Sequence, residues 1–495
     1  MAESQENKSY IDSLKATSLF GGVQVFNILV QLVKSKIVAM LLGPSGMGVY
    51  GLFTQTDALI KSCTSFGLSS SAVRNISEAN GTGDEQRVAT VTSVFRKLVW
   101  LTGLLGLLVC LIGSPLWSRL TFGNYDYTIG FVVLSAGMLF QQLTLGQTTI
   151  LQGLRKYAFM AKAGVLGNLF GLLITIPLYY IWRIDAIVPV LVLSSVSALV
   201  ISWYFYKKLS LRKVEVNKTI FIKEAKNMVV MGVSISFSGM VGTAIAYYLR
   251  TYIGCEGGLA EVGLFTAGFA IVETYIGLVM TSMGTDYYPR LSEVNKDPVK
   301  FCQTINSQIE IALLLLSPII AFFIIFIEYI IIVLYSGEFL AAEGMMYWAI
   351  YGAFFKAISW AVAFGILAKG DYKMFLLNEI GASIYNLLFK LLGYHLAGIT
   401  GIGVAYLIGY IVYTVQVIVI CKYRYEVTIG RPAIKVCLLH LPVLTACLLV
   451  TLYFDSWYRY LIGFPFVIVS GMISYIQLQK HININDLIKN IIYHK

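Results

Sequence analysis

The chain has 495 residues, 57% of them hydrophobic and only 13% charged, with a mean hydropathy of +0.75 and a formal net charge of +11. A soluble chain carries nearer a quarter charged residues, so this composition excludes a soluble enzyme and makes lipid the solvent for much of the surface. The basic residues lie mostly between apolar runs, as in loops facing anionic lipid heads, which argues against nucleic acid as a partner.

Apolar windows of about twenty residues predict an all-α polytopic membrane protein. Its fourteen spans, in chain order, are 17–42, 47–73, 98–114, 128–150, 157–181, 186–206, 228–253, 259–284, 308–335, 345–368, 372–395, 401–421, 433–453 and 458–478. The polar, acidic N-terminus, with no small-residue cleavage site behind the first apolar run, does not read as a signal peptide. No loop approaches the ~50 residues of a soluble catalytic or nucleotide-binding domain, and no P-loop is present. Both termini fall on one side, which also collects most basic residues, including Lys207, Lys208, Lys218, Lys223 and Lys226. Arg119, Arg183, Arg250 and Arg459 fall on the other, so both termini are expected in the cytoplasm. The seven cysteines form no CxxC pair and the four histidines no ligand spacing, so no metal or cofactor is expected.

The second span opens with Gly51-Leu52-Phe53-Thr54 and the eighth with Gly263-Leu264-Phe265-Thr266. The spans before them end at Gly43 and Gly254, and the exits read Ile76-Ser77-Glu78-Ala79-Asn80 and Leu291-Ser292-Glu293-Val294-Asn295. Copies six spans apart share one orientation, a parallel repeat about the membrane normal. The expected organisation is a six-helix lobe over 1–206, a basic cytoplasmic linker over 207–227, a second six-helix lobe over 228–424, and two extra spans with a tail over 425–495.

A charge at the bilayer centre costs on the order of 2.5–3.5 kcal/mol, so each embedded one calls for a reason. Gln24, Asn27, Gln31 and Lys34 share one face of the first span, either as a cavity wall or as interhelical polar packing. Lys36 points elsewhere. Asp57 and Lys61 are i,i+4 on the second span and can pair, and Asp57 also falls at a depth similar to Lys34. In the second half, Glu273 takes the repeat position of Lys61, Lys356 is its expected partner, and Glu379 shares a stripe with Ser383, Asn386 and Lys390. With Gly43 set against Gly254, Arg250 stands opposite Ala39, so that both lobes can present a cation to one cavity. Asp57, Glu273 and Glu379 are the candidates for ion coupling, since burial and neighbouring lysines move a carboxyl pKa in opposite senses.

Residues 36–79, KIVAMLLGPSGMGVYGLFTQTDALIKSCTSFGLSSSAVRNISEA, carry a basic residue, an apolar run, LLGP, G-x-Y-G-L and F-G-L-S-S-S-A-V-R. This resembles the N-terminal signature of the polysaccharide transporter family, the O-antigen translocases or Wzx-type flippases of the multidrug/oligosaccharidyl-lipid/polysaccharide (MOP) superfamily. The resemblance implies two lobes that alternate in access around a central cavity. It implies a polyprenyl-diphosphate-linked oligosaccharide, here an undecaprenyl-diphosphate-linked glycan, as cargo in the inner membrane. It also implies an isoprenoid groove beside the last two spans and a polymerase of the same pathway as a partner. The diphosphate would need cations, which Lys34, Lys36, Lys61 and Arg250 offer, and in the absence of a nucleotide site energy would come from an ion gradient of H+ or Na+, from the membrane potential or from removal of product outside. A cation-coupled multidrug antiporter of the same superfamily is the alternative, disfavoured by the excess of embedded lysines. A membrane polysaccharide polymerase would want large outer loops bearing catalytic acids, and none is present.

Overall fold

The computed structural model describes the backbone of residues 2–209, 211, 214–454 and 456–481, and their side chains from Val30 onward except at 275, 278, 285, 456 and 481. Among these residues the secondary structure is helical throughout, with no strand. The helices are α1 (Ala2–Thr64), α2 (Leu68–Gly81), α3 (Glu85–Ile112), α4 (Ser114–Phe122), α5 (Thr128–Gly153), α6 (Tyr157–Trp182), α7 (Ile187–Lys207) and α8 (Lys218–Ile271). They continue with α9 (Gly277–Glu293), α10 (Pro298–Leu334), α11 (Glu343–Ala368), α12 (Tyr372–Tyr425), α13 (Arg431–Tyr453) and α14 (Ser456–His481). Among the described residues ten stretches are long and apolar enough to cross a membrane, several of them broken internally, and the fold is that of an all-α polytopic membrane protein. Each predicted span falls on a helix; the second ends at Thr64 rather than 73, because Phe66 (φ 51°) and Gly67 (φ 59°) turn the chain into α2.

The long helices break where glycine allows it. Inside α1, Gly43 sits at φ 64°, ψ −174°, and inside α8, Gly258 sits at φ 79°, ψ 179°. That region is open to glycine almost alone. The second arms of α1 and α8 then cross at reciprocal glycines. A Cβ on Gly48 would lie 1.9 Å from the Leu259 carbonyl oxygen, and one on Gly263 would lie 1.8 Å from that of Pro44. Only glycine permits so close a backbone approach.

These contacts correct the repeat register. Gly43 matches Gly258 and Gly48 matches Gly263, an offset that also fits Ile76 against Leu291, whereas the two Gly-Leu-Phe-Thr tetrads are out of step by three residues. Gly254 lies within the helix and does not end it. Arg250 therefore stands opposite Ser35, not Ala39, and Glu273 opposite Ala58, not Lys61.

The chain forms two compact units, Met1–Gly263 and Leu264–Lys495. In the first, the start of α8 docks on α2 and α3. Ala225 and Met228 join the cluster of Leu68, Ile76, Val94 and Phe95, and Arg87 pairs with Glu224 at 2.6 Å. In the second, α13 and α14 pack on α10. Arg459 bridges to Glu328 (3.7 Å) and Glu343, and Tyr460 donates to Glu328 at 2.7 Å.

Candidate functional site

Within the first unit several polar residues of the apolar helices line one wall. A cavity of about 260 Å³ opens between α1, α5, α6 and α7, and its polar lining includes Gln31, Lys34, Thr144, Thr148, Asn168 and Ser194. Gly164, Gly167 and Gly171 of α6 line the same cavity at helical spacing, and a Cβ on Gly164 would meet nothing within 4 Å. The stripe of small residues keeps this space open.

Gln141 lies one turn before Thr144 on α5 and carries the polar stripe past the cavity. Its amide oxygen accepts a hydrogen bond from Lys61 Nζ, which also pairs with Asp57 Oδ2 at 2.6 Å. Asp57 is buried, and its second oxygen, Oδ1, has no hydrogen-bond partner among the described residues. Lys34 is half-buried and has no carboxylate in salt-bridge reach among them. Lys34 and Lys61 thus border one polar stripe of α5, at i, i+3 and i+7 from Gln141 to Thr148.

Arg250 stands apart from that stripe. Its guanidinium donates to Gln55 Oε1 at 2.6 Å, and Gln55 Nε2 donates to the Thr243 carbonyl at 3.2 Å. Gln55 lies about 200–240° around the helix from Asp57 and Lys61, so Arg250 and Lys61 serve different faces of α1. Lys36 is half-buried on another side of α1 from Lys34. Gln24 and Asn27 have side chains outside the described residues.

The second unit holds a different cluster. Glu273 sits in a π-helical turn, Val272–Ile276, between α8 and α9. Such bulges recur at functional sites because they re-aim side chains. Lys356 of α11 reaches both of its oxygens, at 2.9 and 2.7 Å, and the Tyr406 hydroxyl donates to one at 3.1 Å. Lys390 lies over the rings of Phe269 and Tyr406 at 5.4 and 5.5 Å. Glu379 accepts from Tyr413, which also receives the Asn378 amide at 3.1 Å. Glu273 keeps half of its side-chain surface open, whereas Lys356 is mostly covered.

Sequence reasoning missed Tyr406, Tyr413 and Tyr410, whose ring lies 5.5 Å from Lys356 Nζ, and the α5 stripe of Gln141, Thr144 and Thr148. Both were visible as helical spacings within apolar spans, but hydroxyls and amides cost less in a membrane than charges and drew less attention.

A family model described as "Polysaccharide biosynthesis protein" matches residues 37–343. The chain belongs to this family. The Lipid III flippase of Escherichia coli (strain K12) is 24% identical over 400 residues, spanning 77% of this chain and 91% of that protein, and the Lipid III flippase of Shigella flexneri matches equally. Among solved structures, an inward-facing multidrug resistance MATE family transporter of the MOP superfamily superposes with a TM-score of 0.69 at 17% identity, covering 81% of this chain and 94% of that one. The inward closed lipid II flippase MurJ gives a TM-score of 0.65 at 16% identity, covering 93% and 99%. The polysaccharide biosynthesis family and the MOP fold agree with the resemblance read from residues 36–79.

Proposed function

We propose that this member of the polysaccharide biosynthesis family is a flippase of the cytoplasmic membrane. It carries a polyprenyl-diphosphate-linked oligosaccharide from the inner to the outer leaflet by alternating access and has no catalytic step of its own. The observation that carries the reading is the lysine-bearing polar wall on the apolar helices of the first unit: Lys34 in its cavity, and Lys61 on the same α5 stripe. An anionic diphosphate crossing about 30 Å of hydrocarbon needs such cations. Amides and hydroxyls, as on Gln31, Thr144, Thr148 and Asn168, suit the hydroxyls of sugars, and the isoprenoid chain can stay in lipid. The Lipid III flippase relatives support this cargo class.

Asp57, Glu273 and Glu379 are the proposed coupling carboxylates for H+ or Na+, with Lys356 as the counter-charge of Glu273. The termini face the cytoplasm in this reading, and a polymerase of the same pathway receives the product. In a cysteine-free background, cysteines at Gly83 and Tyr423 should resist an impermeant thiol reagent in intact cells, while one at Tyr125 should label. The opposite pattern inverts the topology.

The deciding experiment depletes the full-length protein and follows its lipid-linked glycan. Accumulation in the cytoplasmic leaflet, together with flipping by the purified protein in vesicles, is expected. Ion-coupled efflux of cationic drugs with no effect on the glycan would replace this reading with the antiporter.

A further inference from the structure

Two grooves lie on the flank of the first unit, away from the polar wall. One, of about 510 Å³, runs between α3, α5 and α7. Its floor is Leu139, Leu143 and Ile150 of α5, and its sides include Trp100 and Trp203. The other, of about 520 Å³, runs between α3 and the segment from Val214 to Phe221, over Leu101 and Leu104. The two share only Arg96 and Trp100. A single ridge of α3, one helical turn from Arg96 to Trp100, therefore separates two apolar slots of similar size.

The ends of the slots differ. Trp100 and Trp203 are 50% and 52% exposed, large aromatic surfaces that neither packs away. Near Arg96 the surface turns basic. Arg96 stands over the Tyr206 ring at 5.9 Å, Lys97 over Phe221 at 5.7 Å and Lys207 over Trp203 at 5.3 Å. Each ring holds its cation at the mouth of a slot while the ring itself faces apolar atoms, as side chains do at the lipid headgroup level. The neighbouring carboxylate of Glu224 is already engaged by Arg87 at 2.6 Å. That leaves Arg96, Lys97 and Lys207 as a cationic rim over two parallel apolar channels.

We propose that this flank holds one anionic phospholipid with two acyl chains. The phosphate lies on Arg96 and Lys97, and the chains straddle the Arg96–Trp100 ridge, one in each groove. The paired slots fit a two-chain lipid better than a single isoprenoid chain. The positive rim of Arg96, Lys97 and Lys207 selects an anionic headgroup over a zwitterionic one. Because α8 begins at the second groove and its Met228 joins the core of α2 and α3, a lipid seated there also braces the start of α8 against α3.

The test uses the full-length protein and phosphatidylglycerol or phosphatidylcholine as probes, and it does not depend on transport. Native mass spectrometry of the purified protein should show one phosphatidylglycerol retained in preference to phosphatidylcholine. Arg96→Gln and Lys97→Gln should each weaken that retention about fivefold, and the pair on the order of thirtyfold. Lys480→Gln, at a basic residue of the second unit that lines neither groove, should leave it unchanged. A phosphatidylglycerol with a photoreactive group near its chain end should label Leu139, Leu143 or Leu104 in wild-type protein in nanodiscs, and Trp100→Ala should abolish that label. Equal retention of both lipids, equal retention by the Arg96→Gln/Lys97→Gln double variant, or labelling confined to other helices overturns the proposal. The wild-type labelling decides the matter even if a variant fails to fold.

Discussion

Lys34 and Lys61 in the first unit, and Glu273 and Lys356 in the second, are all charges set within apolar spans, yet their surroundings differ in kind. Lys34 borders an open cavity, and the Asp57 carboxylate beside Lys61 has one oxygen without a partner among the described residues. Glu273 has both oxygens on Lys356 and a further hydrogen bond from Tyr406, while Glu379 is held by Tyr413. A charge beside open space, as at Lys34, can meet a ligand. A charge saturated by neighbours holds a conformation until its protonation changes. The cost of embedding a charge is thus met by carboxylate pairing at Lys61 and at Lys356 alike, and only Lys34 is set on an open cavity with no carboxylate in reach among the described residues.

The largest expected effect lies in the first unit. Lys34→Gln and Lys61→Gln, measured as flipping at equal membrane abundance, should each lose roughly tenfold to a hundredfold, the worth of a charge-assisted hydrogen bond to phosphate. Arg250→Gln should lose less, because its guanidinium faces Gln55, away from the α5 stripe, and Lys162→Gln, at an exposed residue in the first turns of α6, should stay near normal. Wild-type rates in both lysine variants would end the idea that this wall takes the diphosphate.

Gly164→Leu separates cavity from fold. The added side chain enters open space, and leucine favours a helix over glycine, so the melting temperature should hold or rise. Flipping should fall severalfold if the cavity receives cargo. Unchanged flipping with the cavity filled would move the site elsewhere.

In the second unit the expected signature is on coupling and stability. Glu273→Gln leaves Lys356 uncompensated and should cost about 1–2 kcal/mol in thermal unfolding, discounted from the ~3–5 kcal/mol of a fully buried pair because Glu273 is half-exposed. The same variant should lose its dependence on an ion gradient, whereas Lys356→Met combined with Glu273→Leu should recover stability but not coupling. If gradient dependence survives in Glu273→Gln, Asp57→Asn and Glu379→Gln alike, the carboxylates are structural only.

The smallest effect is at Asp371, the N-cap of α12. The backbone N–H of Met374 first, then Tyr425 and Arg424, hold its carboxyl below the ordinary range. A carboxyl pKa lowered in the folded state adds stability above the ordinary value of about 3.9 and loses it as pH falls below that value. Asp371→Asn keeps the cap but should flatten this acid limb of the melting-temperature profile. A variant with the wild-type acid limb would rule out that contribution.

Composition and hydropathy were enough to read the membrane class, the helices and their order, since apolar runs of span length have no other stable solvent. The i,i+4 spacing was enough to expect the Asp57–Lys61 pair, and span depth pointed to Lys356 as the partner of Glu273. Packing decided the rest. The repeat register followed from where backbones touch, at Gly48 and Gly263, and four identical letters elsewhere misled by three residues. That Arg250 turns to Gln55, away from Lys61, depends on which neighbour each face of α1 meets, which helical spacing alone leaves undetermined. The cavity beside Lys34 likewise depends on α6 presenting glycines to it, Gly164 to open space and Gly167 and Gly171 to Ala198 and Ser194 of α7. One-dimensional pattern fixes which faces are polar; the crossing of helices fixes which polar faces are closed by a partner and which remain open to a ligand.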